Sequence, residues 1–184
     1  MVAEILVRKG WASYFVEKGY HVYLVDAYAG ARSPANDFTQ YKFNTGTSAE
    51  LAQKGFTAPG AKHTQWPGSG LAGDPIFDAF LKTQIPWTTT FELQELAMRA
   101  AGCKLLSILG SPSFLISHSL GSFYPILLSN DCPQFVKGSI NIEPATTPFW
   151  RYNNGSLGGV PQSPWGLTFS RLTYDPPIIN PAGK

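Results

Sequence analysis

The stretch Ser113-Phe-Leu-Ile-Ser-His-Ser-Leu-Gly121 decides the fold of this chain. Its first six residues, Ser113 to His118, are typical of a short buried strand. A helix is predicted to begin at about Leu120 and to run to Asn130. Because the strand and the helix follow each other at once, the chain must turn sharply at Ser119. The residue at the apex of such a turn is held in a strained conformation.

The residues around Ser119 meet the steric demand of this turn. The positions two before and two after the apex must be small to avoid a clash, and they are Ser117 and Gly121. The usual pattern is G-x-S-x-G, from which Ser117 departs while remaining small. A serine at the apex projects its hydroxyl clear of the backbone, and the amide of Leu120 is placed to donate to an oxyanion. We therefore interpret Ser119 as a nucleophile; the alternative is a plain helix N-cap.

Strands and helices alternate along the rest of the chain. A helix is predicted over residues 10–18, ended by Gly19, and a strand over His21–Asp26. A second helix is predicted over Phe91–Leu109, ended by Gly110, and a further strand over Val136–Glu143. The alternation predicts an α/β fold, with a parallel sheet of three strands flanked by helices. In the second helix Leu93, Leu96, Ala100 and Cys103 are predicted to share one face, with Glu92, Glu95 and Arg99 elsewhere.

A long irregular stretch separates the first predicted strand from the second helix. Residues 27–90 are rich in Pro, Gly and Thr, and only Asp74–Leu81 has the pattern of a short helix. A loop of this length is usually functional in a compact domain, so we interpret 27–90 as a cap-like insertion in a single domain, 1–184. Its aromatic residues are either an apolar substrate surface or internal packing; they are Trp66, Phe77, Phe80 and Trp87.

Glu143 is the candidate acid that would accompany the nucleophile. It ends the strand that follows the Ser119 helix, at the carboxyl edge of the sheet where sites of open α/β folds collect. There it would orient a histidine and stabilise its charged form. The alternative is a strand-end carboxylate in a salt bridge or a turn. In hydrolases of this topology the order is Ser, then acid, then His.

No histidine follows Glu143 in the sequence. The three histidines are His21, His63 and His118. His21 opens a predicted strand and is interpreted as structural. His118 adjoins Ser119, and successive strand residues point to opposite faces, so it is poorly placed as the base. His63 lies in the insertion and is interpreted as cleft lining or, against the usual chain order, as the base.

Composition excludes several functional classes. The net charge is +2 and no block of Lys or Arg occurs, which argues against nucleic-acid binding. No apolar run has the length of a membrane span, and the first residues lack the order of a signal peptide. Cys103 and Cys132 are too far apart in sequence for a CxxC motif. They either form a disulfide or remain buried thiols, and we favour the thiols.

The chain resembles the α/β-hydrolase esterases and lipases of a secreted microbial type, whose triad acid is a glutamate. The resemblance covers most of the chain and is carried by Gly10–Phe15, Gly19-Tyr20, Val22–Asp26, Gly30–Ser33, His63–Gly68, Gly73–Pro75, Ser117–Gly121, Val136–Gly138, Ile142–Pro144, Pro164–Thr168 and Leu172–Pro176.

The resemblance implies a partial α/β-hydrolase fold, with Ser119 as nucleophile and Glu143 as acid. It implies an ester substrate with an apolar acyl or aryl group, no metal or organic cofactor, and secreted relatives. Family members also have earlier strands, a first oxyanion loop and a later histidine, so we expect this chain to be truncated at both ends and inactive by itself. The alternatives are a non-catalytic binding module that keeps the cleft and an unstable gene-model fragment.

Overall fold

A computed structural model describes residues 9–30, 32–33, 39–43, 46–57, 66–86, 88–145, 147–151, 160–161 and 163–178. His63 and Trp87 therefore lie outside the described residues. Within these ranges the chain is a mixed α/β structure in which a two-stranded parallel sheet packs against helices.

Among the described residues, four α-helices precede the parallel sheet. They are α1 (Trp11–Glu17), α2 (Ala49–Ala52), α3 (Pro75–Leu81) and α4 (Phe91–Leu109), and a π-helical turn, Gln53–Thr57, follows α2. Gly19 and Gly110 adopt positive φ, 86° and 72°, just beyond α1 and α4, which confirms both as helix stops. Asp74 caps α3 by accepting from the backbone N–H of Ile76 and Phe77.

The sheet consists of β1 (Ser113–Ser119) and β2 (Val136–Pro144), paired in parallel. A 3₁₀ turn, Leu120–Ser122, and helix α5 (Phe123–Asp131) connect the two strands, followed by a second 3₁₀ turn, Pro133–Phe135. A separate antiparallel pair is formed by β3 (Trp150–Arg151) and β4 (Val160–Pro161). The predicted helix-strand-helix-strand order from Phe91 onward is confirmed.

The strand predicted over His21–Asp26 is wrong. These residues form no ladder with β1 or β2, and Leu24 and Val25 are 73% and 59% exposed. A β-branched, apolar segment acquires strand geometry only where a neighbouring strand pairs with it. The parallel sheet therefore has two strands in the described part of the chain, and the prediction of three was wrong.

Helix α4 also buries a different face from the predicted one. Its buried residues include Glu95, Met98 and Leu106, whereas Leu96 is 49% exposed and Ala100 is exposed. Gly102 lies under Leu128 of α5, where a Cβ would come within 2.7 Å of a Leu128 methyl carbon. The helices thus pack closely at a glycine on the buried side of α4.

Cys103 and Cys132 form a disulfide between α4 and the end of α5, with the Cα atoms 5.9 Å apart. The preference for buried thiols was wrong. Spacing along the chain carried no information on this point, because the packing of α4 against α5 brings the two residues together. The sulfurs lie beside a core formed by Leu106, Leu128 and Leu115.

The two faces of the parallel sheet differ in how they are covered. Leu115 packs toward α4 and α5. On the opposite face Phe114, Ile116 and Ile140 are 54%, 42% and 54% exposed. Helix α1 borders this second face and encloses with it an apolar cleft of about 280 Å³.

The described part of residues 27–90 packs on the first turns of α4. Gln94 donates to the carbonyl of Tyr28, and the Tyr41 hydroxyl donates to the carbonyl of Leu93. Further along the stretch, Phe77 is fully buried and Phe80 makes ring contacts with Phe77 and Trp66. For Phe77 the structure thus favours internal packing over a substrate surface.

Candidate functional site

Ser119 lies at the point where β1 gives way to the 3₁₀ turn. Its backbone has φ 52° and ψ −123°, a region that non-glycine residues seldom occupy. A conformation of this kind costs about 1–3 kcal/mol and persists only where the surrounding structure imposes it. Ser119 makes no side-chain capping hydrogen bond, so the N-cap alternative is not supported by this geometry. The strain predicted for the apex of the turn is present.

The neighbours of the turn are packed as the steric argument requires. A Cβ added to Gly121 would come 3.9 Å from the Cβ of Ser117, so the two positions face each other across the turn. Ser117 is fixed by its hydroxyl, which donates to Asn141 Oδ1 over 2.6 Å. This bond joins β1 to β2 next to the turn. Ser122 is buried beside it, with its hydroxyl oxygen 3.4 Å from that of Ser117.

Glu143 lies on β2 at a bulge next to Ser119. The strand register passes from His118 opposite Ile142 to Ser119 opposite Pro144, so Glu143 is the extra, unpaired residue. It too has a positive φ, 44°, and its side chain is 86% exposed. The backbone N–H of Ala145 donates to the carbonyl of Ser119 over 3.2 Å, which ties the two strand ends together. The ends of β1 and β2 therefore bring the two predicted site residues to one edge of the sheet.

His118 is the histidine that the described residues place beside Glu143. Its Nε2 lies 3.8 Å from Glu143 Oε2, within the range of an ion pair when the imidazole is charged. Along β1 exposure alternates, with His118 exposed and Ser119 half-buried. His118 thus points to the open face of the sheet, as expected for a residue that precedes the apex, and is poorly placed to take the proton of Ser119.

Glu95, which was predicted to lie off the apolar face of α4, is a buried carboxylate that contacts the residues after β4. Glu95 is 1% exposed and accepts hydrogen bonds from the backbone N–H of Phe169 and of Ser170. Burial raises the pKa of the Glu95 carboxyl, and the hydrogen bonds from the two N–H groups oppose that rise. Residues 163–178, which receive this contact, carry the Trp-Gly-Leu-Thr and Tyr-Asp-Pro motifs. The signal that could have found Glu95 is its position between Leu93 and Leu96, two apolar residues of the helix.

In the described part of the chain no group of three or more His, Cys, Asp or Glu side chains is arranged to hold a metal ion. None of the helices described there is both long and apolar enough to cross a membrane.

Among curated proteins the chain is similar to the probable secreted lipase phiG of Fungal sp. (strain ATCC 74256), with 35% identity over 179 residues. The alignment covers 92% of this chain and 47% of that lipase, so the chain spans about half the length of the curated relative it matches. No family model and no solved structure matches the chain. The chain is thus a distant homologue of a probable secreted lipase, aligned along almost all of its own length.

Proposed function

We propose that this chain carries the nucleophile and the acid of a serine hydrolase that cleaves carboxylic esters, on a partial α/β-hydrolase fold. The observation that carries the proposal is the backbone of Ser119, φ 52° and ψ −123°, at a direct strand-to-helix turn. A helix cap needs no such strain, whereas an exposed nucleophile does. Similarity to a probable secreted lipase supports the same class of reaction.

Each residue has a distinct role in this proposal. The Ser119 hydroxyl attacks the ester carbonyl. The acyl group becomes bonded to Ser119 Oγ, and the alcohol leaves. The backbone N–H of Leu120, at the start of the 3₁₀ turn, donates to the oxyanion of the tetrahedral intermediate. Glu143 orients the imidazole that takes the proton, and water then releases the acyl group. No step requires a metal or organic cofactor.

The base is the part of the triad that no histidine among the described residues fills, and His63 lies outside those residues. His118 contacts Glu143 from the open face of the sheet, and none of the three histidines follows Glu143 in the sequence. A general base contributes about 10²–10⁴-fold to such reactions. We therefore expect this chain alone to turn over esters slowly or not at all.

The substrate and setting follow from the same proposal. An ester with an apolar acyl or aryl group fits a relative described as a lipase. The Cys103–Cys132 disulfide suits an oxidising compartment, which agrees with secretion. We propose one partial domain over residues 1–184, with 27–90 as a cap-like insertion.

The decisive experiment supplies the base from solution. The chain is treated with a fluorophosphonate, with and without imidazole, and the adducts are located by mass spectrometry of peptides. We expect imidazole to accelerate phosphonylation of Ser119, Ser119→Ala to remove the adduct, and Glu143→Gln to reduce the acceleration. Ser111, exposed in the loop before β1, is the matched serine and should stay unlabelled.

Two results would count against the proposal. Failure of a folded chain to label at Ser119 in the presence of imidazole would favour the non-catalytic binding module. Equal labelling of Ser111 and Ser119 would show that the turn confers no special reactivity.

A further inference from the structure

We propose that Glu95 is a positioning residue of the site. It anchors residues 163–178, here called the strap. The strap in turn packs against α5, the helix that follows Ser119, and against the segment after Glu143. The proposal rests on the proposed function for the roles of Ser119 and Glu143. The contacts of the strap do not depend on those roles.

The anchor is a buried carboxylate whose two oxygens both accept from backbone N–H groups of the strap. Both Glu95 oxygens accept from the N–H of Phe169, over 3.0 and 3.1 Å, and Oε2 accepts from the N–H of Ser170 over 2.6 Å. Glu95 and Ser170 are each 1% exposed. Buried N–H groups need an acceptor, and hydrogen bonds to a charged acceptor are stronger than neutral ones. Glu95 therefore fixes the strap at its centre.

Neighbouring polar groups hold the strap on either side of that contact. Arg99, one turn along α4, donates to the carbonyl of Arg171 over 2.6 Å and pairs with Asp131 of α5. Asn130 Oδ1 accepts from the backbone N–H of Thr173 over 2.8 Å. The strap is thus bound to α4 and to the last turn of α5 together.

The first brace reaches the helix that follows Ser119. The Phe169 ring stacks on Phe91 at 5.4 Å and meets the edge of Phe123 at 5.8 Å. Phe123 is 4% exposed and is the first residue of α5, directly after the turn Leu120–Ser122. Because Glu95 holds the backbone of Phe169, it also fixes the ring that packs against the first residue of α5.

The second brace reaches the chain beyond Glu143. The N–H of Phe149 donates to the carbonyl of Gly166 over 2.9 Å. Gly166 has φ 82°, and a Cβ there would lie 3.0 Å from the Tyr174 hydroxyl, so the strap is tightly folded at this contact. The Tyr174 hydroxyl in turn donates to the carbonyl of Trp165 over 2.8 Å. One strap therefore contacts both polypeptide segments that leave the edge of the sheet.

Hydrogen exchange followed by mass spectrometry tests this coupling in the full chain. Glu95→Ala should speed exchange about tenfold or more in the strap, and also in residues 120–125 and 145–151. Glu92→Gln is the matched control, since it removes one exposed charge from the same helix and should change none of these regions. Glu95→Gln keeps one acceptor oxygen, so it should restore part of the protection and serves if the alanine variant does not fold.

The same variants are then labelled with fluorophosphonate in the presence of imidazole. We expect slower labelling of Ser119 in Glu95→Ala, partial recovery in Glu95→Gln and no change in Glu92→Gln. The proposal is overturned if the strap of a folded variant is released while residues 120–125 and 145–151 keep their protection, or if Glu95→Ala leaves the strap protected. If Ser119 of the unmodified chain does not label, the proposed function fails, and the exchange pattern still decides whether Glu95 positions the two segments.

Discussion

Reduction of the Cys103–Cys132 disulfide should cost this chain a large part of its stability. The bond closes a loop of 29 residues. The chain-entropy relation for a loop of that length gives a stabilisation of about 3.6 kcal/mol, and domains of this size have free energies of unfolding of about 5–15 kcal/mol. With a urea dependence of about 2 kcal/mol per molar, the midpoint of unfolding should fall by about 1–2 M on reduction.

The measurement is urea unfolding followed by tryptophan fluorescence and circular dichroism, with and without reductant. The double variant Cys103→Ala, Cys132→Ala should unfold near the midpoint of the reduced chain and should not respond to reductant. It will be slightly less stable than the reduced chain, because Cys132 is 3% exposed and loses packing on truncation. Two free thiols in the oxidised, folded chain, or an unchanged midpoint after complete reduction, would refute this reasoning.

Two further predictions concern helix contacts. Gly102→Ala places a Cβ 2.7 Å from a Leu128 methyl carbon and should destabilise the chain by about 1 kcal/mol, despite the better helix propensity of alanine. The loss should appear as a lower Tm. The decrease in Tm should be smaller in a chain that also carries Leu128→Val, because the shorter side chain makes room for the added Cβ. Backbone N–H groups, chiefly that of Ser69 and then that of Ile76, hold the pKa of Asp74 below its ordinary value of 3.8. A depressed pKa means that the stabilisation from the charge is present above the pKa of the unfolded chain and is lost as pH falls through the lowered value. The difference in Tm between the original chain and Asp74→Ala should therefore be clear near neutral pH and shrink in strong acid. Asp74→Asn is the control, since it keeps a capping oxygen without the charge, and a difference that persists unchanged in acid would contradict the assignment.

The sequence predicts the local part of this structure well. The bounds of the α4 helix, its stop at Gly110 and the strain at Ser119 depend on residues close together in the chain, so the pattern around each was sufficient. The short helix predicted over Asp74–Leu81 is a similar case, and the structure has it over Pro75–Leu81 with Asp74 as its N-cap.

Contacts between distant segments were not predictable in this way. Residues 21–26 have strand composition, yet a strand forms only where another strand pairs with it. Glu95 is buried because the backbone of residues 169 and 170 needs acceptors, and those residues lie more than 70 positions away. The Cys103–Cys132 bond likewise depends on how α4 and α5 pack.

The positive φ angles of Ser119 and Glu143 have a consequence for anyone who modifies this protein. At both positions glycine would relieve backbone strain, so a search for stabilising substitutions would choose Ser119→Gly and Glu143→Gly. Such a variant would gain thermal resistance while losing the hydroxyl and the carboxylate at the sheet edge. Stability screens on this chain are therefore biased against the proposed chemistry, and positions 119 and 143 should be held fixed in them.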